Sequence, residues 1–133
     1  MRKPKFEELP GLSDLEREVM EVVWQGDGEL SVRRVGELVN AGGGKQRAYT
    51  TYMTILSRLH DKGIVERRRE GNSDRYRPKI PRRDYMEGRA RTEIDALVGE
   101  YGDIALAQFA RQVSEAGPDG AERLRRLARG DET

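Results

Sequence analysis

Cysteine is absent from this 133-residue chain, and histidine occurs once, as His60. No disulfide, thiolate nucleophile or thiolate metal site is therefore available, and a histidine-rich metal or acid–base centre is excluded too. Aromatic residues are scarce at 6 %, and apolar residues of all kinds reach only 35 % against 37 % charged. An average domain carries about 25 % charged residues, so core material is short. A chain of this length buries only about two-thirds of the surface its unfolded form exposes. Apolar faces left uncovered in one chain are expected to pair between two. The longest apolar run is Ile104 to Ala107, far below the ~20 residues of a membrane span. No apolar segment follows the basic start Met1-Arg2-Lys3-Pro4-Lys5, so a signal peptide is not expected. These absences point to a cytosolic binding protein that needs neither a metal nor a cofactor.

What the chain does have is charge, unevenly placed. The formal net charge is +1, but residues 44–80 hold ten basic against four acidic groups. The residues before and after this segment are both net acidic. A local cationic cluster is the footprint of phosphate-backbone binding when structure places it on one surface, and a mere solvated face otherwise.

The pattern of apolar residues supplies that structure. Residues 1–12, with Pro4, Pro10 and Gly11, read as a flexible arm. Ser13 and Glu16 form a capping box, and Leu15, Val19, Val22 and Val23 follow as the stripe of an amphipathic helix, closed by Trp24 as a core residue. Gly26-Asp27-Gly28 ends it. Ser31 caps a second helix with Val32, Val35, Leu38 and Val39 inward, and Gly42-Gly43-Gly44 stops it. That glycine run lacks the spacing and the following Ser/Thr of a phosphate loop. A third helix spans about Ala48 to Asp61, with Gly63 as its left-handed terminator. Its Tyr52, Ile55, Leu56 and Leu59 share one inward sector. Thr50, Thr54 and Ser57 lie opposite, flanked by Thr51 and Arg58 on one side and Met53 on the other. The alternative is β-branched filler on a solvent face, which three threonines among five residues modestly disfavour because threonine is a mediocre helix former. Short hydroxyls and a guanidinium suit base edges and phosphates in a major groove.

Residues 64–69 and 74–77 read as two strands around Glu70-Gly71-Asn72-Ser73, a hairpin with Tyr76 and its partner Val65 on the core. Three helices and a basic hairpin make a winged helix-turn-helix: the third helix enters the groove and the wing follows the adjacent backbone. The groove contacts expected are Thr50, Thr51, Thr54 and Arg58. The phosphate contacts are Lys45, Arg47, Arg67, Arg68, Arg69, Arg75 and Arg77, with strand alternation turning some of the wing arginines away. Beyond Pro81 a long helix is expected over about 82–99. A bend at Gly102-Asp103 then leads into a further helix, and Asp119 caps a last one. Tyr85, Ile94, Leu97, Val98, Tyr101, Leu106, Phe109 and Val113 form the apolar face expected to join two chains. The fold class is thus mostly α with a small β-hairpin, arranged as an arm (1–12), a winged-helix DNA-binding domain (13–80) and a helical dimerisation region (81–133).

Several of these segments resemble the penicillinase-repressor (BlaI/MecI-type) family. The run from Ser13 to Trp24 is similar to its opening helix. The run from Thr50 to Leu59, with Lys62-Gly63, resembles its recognition helix, and Gly71 with Tyr76-Arg77-Pro78 resembles its wing. The similarity extends over about residues 13–116. It implies a homodimeric repressor on a palindromic operator in double-stranded DNA, controlling β-lactam-resistance genes. It also implies a membrane-bound sensor protease that ends repression by cutting the dimerisation segment at an Asn–Phe bond. The matching bond here is Gln108–Phe109, where Phe109 agrees and Gln108 departs. Phe109 has an equally good role in dimer packing, which is the role favoured. The copper-responsive branch uses a cysteine-rich tail, and this chain has no cysteine.

Two alternatives stand beside repression by DNA occupancy. One is a winged-helix protein-interaction module, which would place apolar residues on the outer face of the third helix. The other is a repressor released by a small ligand between the dimer helices. No enzyme is expected, because His60 has no nucleophile constellation around it.

Overall fold

The computed structural model describes residues 9–130. Helix α1 (Asp14–Gln25) starts from the expected box: the Ser13 hydroxyl accepts from the Glu16 amide at 3.3 Å, and the Glu16 carboxylate accepts from the Ser13 amide at 2.8 Å. Its Val19, Met20 and Val23 are fully buried. After Gly28 a two-residue strand, β1 (Leu30–Ser31), leads directly into α2 (Val32–Ala41). Ser31 also caps α2 by accepting from the Arg34 amide at 3.1 Å. Helix α3 (Tyr49–Asp61) buries Tyr52, Ile55, Leu56 and Leu59, each contributing about 1.5–3 kcal/mol of transfer free energy. Helices α2 and α3 meet closely at Gly36, where a Cβ would stand only 2.9 Å from the Tyr52 ring.

The wing consists of β2 (Val65–Glu70) and β3 (Ser73–Pro78), antiparallel, with β1 on the other side of β3. Gly71 opens the two-residue loop at φ +60°, the conformation that a type II′ turn needs at its first position. Core residues from both helices and sheet form one cluster, which includes the buried Ile64, Val65 and Tyr76.

Four sequence expectations change in the winged-helix unit. The sheet has a third strand, because Leu30 pairs with Tyr76 and Ser31 with Arg75. Val65 and Tyr76 both face the core but are not partners: Val65 lies opposite Pro78, and Tyr76 opposite Arg67. Residues 9–12, expected within a loose arm, are held. Leu9 and Leu12 pack on the core, and the Pro10 and Leu9 carbonyls accept from Tyr85 (2.6 Å) and Arg89 (3.0 Å). The rest of that arm lies outside the described residues. Finally, Tyr85, expected on the dimer face, is only 3 % exposed and belongs to the winged-helix core, with its ring 5.6 Å from that of Trp24. Trp24 is half-buried and donates to the Ile80 carbonyl at 2.9 Å.

Helix α4 (Arg82–Tyr101) runs from one compact unit, which ends at Ala90, into a second, which begins at Arg91. The second unit contains the end of α4, α5 (Asp103–Glu115) and α6 (Gly117–Ala128). Gly102, at φ +58°, makes the bend before α5. Asp119 sits inside the first turn of α6, with Pro118 beside it, and does not cap the helix. None of the apolar side chains of this unit is buried. Ile94, Leu97, Tyr101, Leu106 and Phe109 are about half exposed, with Phe109 at 54 %, and Val98 and Val113 are half-buried.

Candidate nucleic-acid interface

The orientation of α3 is fixed before its outer face is considered. Asn40, at the end of α2, is the fastening point. Its side-chain amide donates to the Arg47 carbonyl (3.2 Å), while its oxygen accepts from the Arg47 amide (3.1 Å) and the Tyr52 hydroxyl (2.6 Å). Gln46 donates to the Asn40 carbonyl at 2.7 Å. Four hydrogen bonds around one residue thus shape the loop that carries Lys45 and Arg47. The sequence offers no sign of this, since an asparagine before a glycine run reads simply as a helix end.

At the other end of α3, Lys62 bonds the Glu16 carboxylate at 2.7 Å and the Gly11 carbonyl at 3.2 Å. Glu16 is 3 % exposed. Its burial would push the carboxyl up, but hydrogen bonds from Lys62 and Ser13 together outweigh this and hold it below the ordinary carboxylate value. Lys62, part of the cationic cluster by sequence, is therefore committed to tying α3 to α1.

With the core sector inward, Thr50, Thr54 and Arg58 are exposed, and Thr51 and Ser57 are half-buried. The Thr54 hydroxyl donates back to the Thr50 carbonyl at 3.1 Å, leaving its oxygen free to accept. Lys45, Arg47 and Arg58 have no carboxylate within ion-pair distance among the described residues.

Strand alternation and the observed register sort the wing arginines into two sets. Tyr76 points to the core, so Arg67 opposite it, and Arg69 two residues on, share the face that looks toward α3. Arg67 has no carboxylate within ion-pair distance among the described residues, and the neighbouring Tyr76 hydroxyl raises its pKa. Arg69 is 3.4 Å from Asp74. Arg67, Arg69, Tyr49, Met53 and Ser57 together line a hollow of about 210 Å³ between wing and helix.

The opposite face is a ladder of ion pairs. Arg68 meets Glu29 at 2.6 Å and Glu70 at 3.2 Å, Arg75 meets Glu70 at 3.2 Å, and Arg77 meets Glu66 at 2.7 Å. Glu29, just before β1, receives three hydrogen bonds from Arg68. These bonds push the Arg68 pKa up and hold the Glu29 carboxyl down. Three cations and three anions thus face each other on the back of the wing, and the net positive charge lies on its front.

The family model for the penicillinase repressor matches residues 12–129. The chain is 36 % identical over 119 residues to the transcriptional regulator BlaI of Mycobacterium tuberculosis, covering 89 % of this chain and 83 % of that one. It is 32 % identical over 82 residues to the penicillinase repressor of Bacillus licheniformis, covering 62 % of each. The solution structure of the DNA-binding domain of the repressor BlaI superposes with a TM-score of 0.50 at 30 % identity, over 64 % of this chain and 94 % of that one.

Proposed function

The chain belongs to the penicillinase-repressor family, whose named relatives are transcriptional regulators, and on that premise we propose that it represses transcription as a homodimer seated on a palindromic operator. The observation that carries this reading is the pairing of an outward hydroxyl-and-guanidinium face on α3 with a net cationic front on the wing, where Arg67 and Arg69 stand against the single carboxylate of Asp74. Thr50, Thr51, Thr54 and Arg58 read or position on the major groove. Lys45, Arg47, Arg67 and Arg69 neutralise phosphates, while Arg68, Arg75 and Arg77 brace the wing from behind. Repression is steric, since a polymerase cannot occupy the duplex that the dimer covers. Its place of action is the cytoplasm. No helix of the described residues is long and apolar enough to cross a membrane.

Dimerisation is assigned to the second unit. Ile94, Leu97, Val98, Tyr101, Leu106 and Phe109 line an apolar groove of about 330 Å³, and Val113 lies half-buried on the same helix as Phe109. A second copy covers this groove better than a small ligand, because few polar groups converge there to orient one. A two-fold pair of chains presents two copies of α3 to inverted half-sites.

The family resemblance makes β-lactam-resistance genes the regulated class and a membrane-bound sensor protease the releasing partner. Cleavage at Gln108–Phe109 requires α5 to unwind locally, since both residues lie inside it. The place of Phe109 in the apolar groove supports its packing role.

The test is selection of bound fragments from random duplex DNA by the purified chain. An inverted pair of motifs is the expected result. Recovery of no enriched sequence at low ionic strength overturns the reading.

A further inference from the structure

Two large apolar side chains of the winged-helix unit stand exposed among its described residues, Tyr49 at 51 % and Met53 at 46 %. They are four residues apart, so they stack on one flank of α3. That flank looks across the hollow at Arg67 and Arg69. The hydrophobic core forms its cluster without either of them, so they are not core residues that failed to be covered. Their surroundings are polar and net cationic, with Asn72, two serines and Asp74 beside Arg67 and Arg69, which does not suit an apolar protein partner.

An apolar step inside a phosphate-binding rim calls for a ligand that is anionic at its edges and apolar at one point. In the major groove of a duplex, the thymine 5-methyl is the apolar group on offer. The thioether of Met53 is flexible and polarisable and follows such a small convex group well. The neighbouring Thr54 has its hydroxyl proton committed to the Thr50 carbonyl, which leaves less of the sequence reading on this face to hydrogen-bond donors.

We propose that Met53, backed by the Tyr49 ring, is a specificity-determining residue that receives a thymine methyl in each half-site. This rests on the duplex-binding function proposed above, and it requires a thymine at one defined position per half-site.

The probe is a half-site duplex recovered by selection, in which each thymine is replaced in turn by uracil, removing only the methyl. Affinity is read by fluorescence anisotropy. At one position uracil weakens wild-type binding about fourfold, the effect of one buried methylene-sized group. Met53→Ala binds the thymine and uracil duplexes equally at that position, and Met53→Leu keeps the preference. Since the reading is a ratio within each variant, a general loss of affinity does not imitate it. A wild-type protein indifferent to uracil everywhere, or a Met53→Ala variant that keeps the ratio, overturns the inference and leaves duplex binding standing. Failure to bind any duplex at low ionic strength overturns both.

Discussion

Arg67 and Arg68 are neighbours in sequence, carry the same charge and sit on the same strand, yet they are expected to behave differently toward DNA. Arg67 faces α3 with no carboxylate within ion-pair distance among the described residues, whereas Arg68 is held by Glu29 and Glu70. Each phosphate contact adds about 0.9 to the slope of log affinity against log salt. On a half-site duplex, Arg67→Ala should therefore flatten that slope by about 0.9. Between 50 and 200 mM salt, the wild type should then lose about 3.5-fold more affinity than the variant. Arg68→Ala removes a cation already compensated by two carboxylates, so its slope should match that of the wild type. Its cost falls on the wing instead, and it is small because the pairs are solvent-facing, with Arg68 53 % exposed. The assay is anisotropy titration of both variants at four or so salt concentrations, with thermal melts as the folding control. An equal flattening by Arg68→Ala would refute the division of the wing into a front and a back.

Other substitutions test other parts of the structure. Glu16→Gln should destabilise the chain by about 1–3 kcal/mol in denaturant titrations, because it breaks a buried charge-assisted contact with Lys62. As the folded Glu16 pKa lies below its ordinary value of 4.5, the wild-type contribution is whole above that pH. It fades as pH falls through the folded pKa, so the variant's stability curve should lack this acid limb. Gly36→Ala should cost about 1–3 kcal/mol by forcing a methyl against the Tyr52 ring. Gly99→Ala, in open space on α4, should stabilise by up to about 1 kcal/mol, and equal effects of the two in calorimetry would contradict the close α2–α3 approach. Phe109→Asp should convert a dimer to a monomer in sedimentation at micromolar concentration while the melt of the winged-helix unit persists; an unchanged sedimentation coefficient would move the interface elsewhere.

Most of the elements could be read from the chain because their signals are local. The Ser13–Glu16 box, the stripes of α1 and α2, Gly63 after α3 and the Gly71-Asn72 turn each lie within a few residues of what they determine. Strand β1 escaped because two residues have no periodicity; Leu30 and Ser31 become a strand only by pairing with residues more than forty positions later. The sequence pattern puts Tyr85 with the exposed residues of α4 for a related reason. Its apolar spacing along α4 is continuous with that of Ile94 and Leu97, and only the returning chain at Pro10 and the Trp24 ring show where the helix changes its neighbour. The candidate site was legible as a set of residue types but not as a geometry. Alternation alone says that the wing arginines divide. Which of them face α3 depends on the register and on Glu29, a partner distant in sequence.

The glutamates behind the wing give the hairpin a live edge and an insulated back. A polyelectrolyte drifting toward the reverse side meets alternating signs that cancel within a few ångströms, while one approaching the front meets two guanidinium groups against one carboxylate. On the duplex-binding function proposed above, the torque from that imbalance would turn the molecule before any atom touches, so encounters would begin with the helix already aimed at the groove. Removing the acids would strengthen the overall attraction and blunt the aim. Sticking to arbitrary sequence would then rise faster than capture of the intended one.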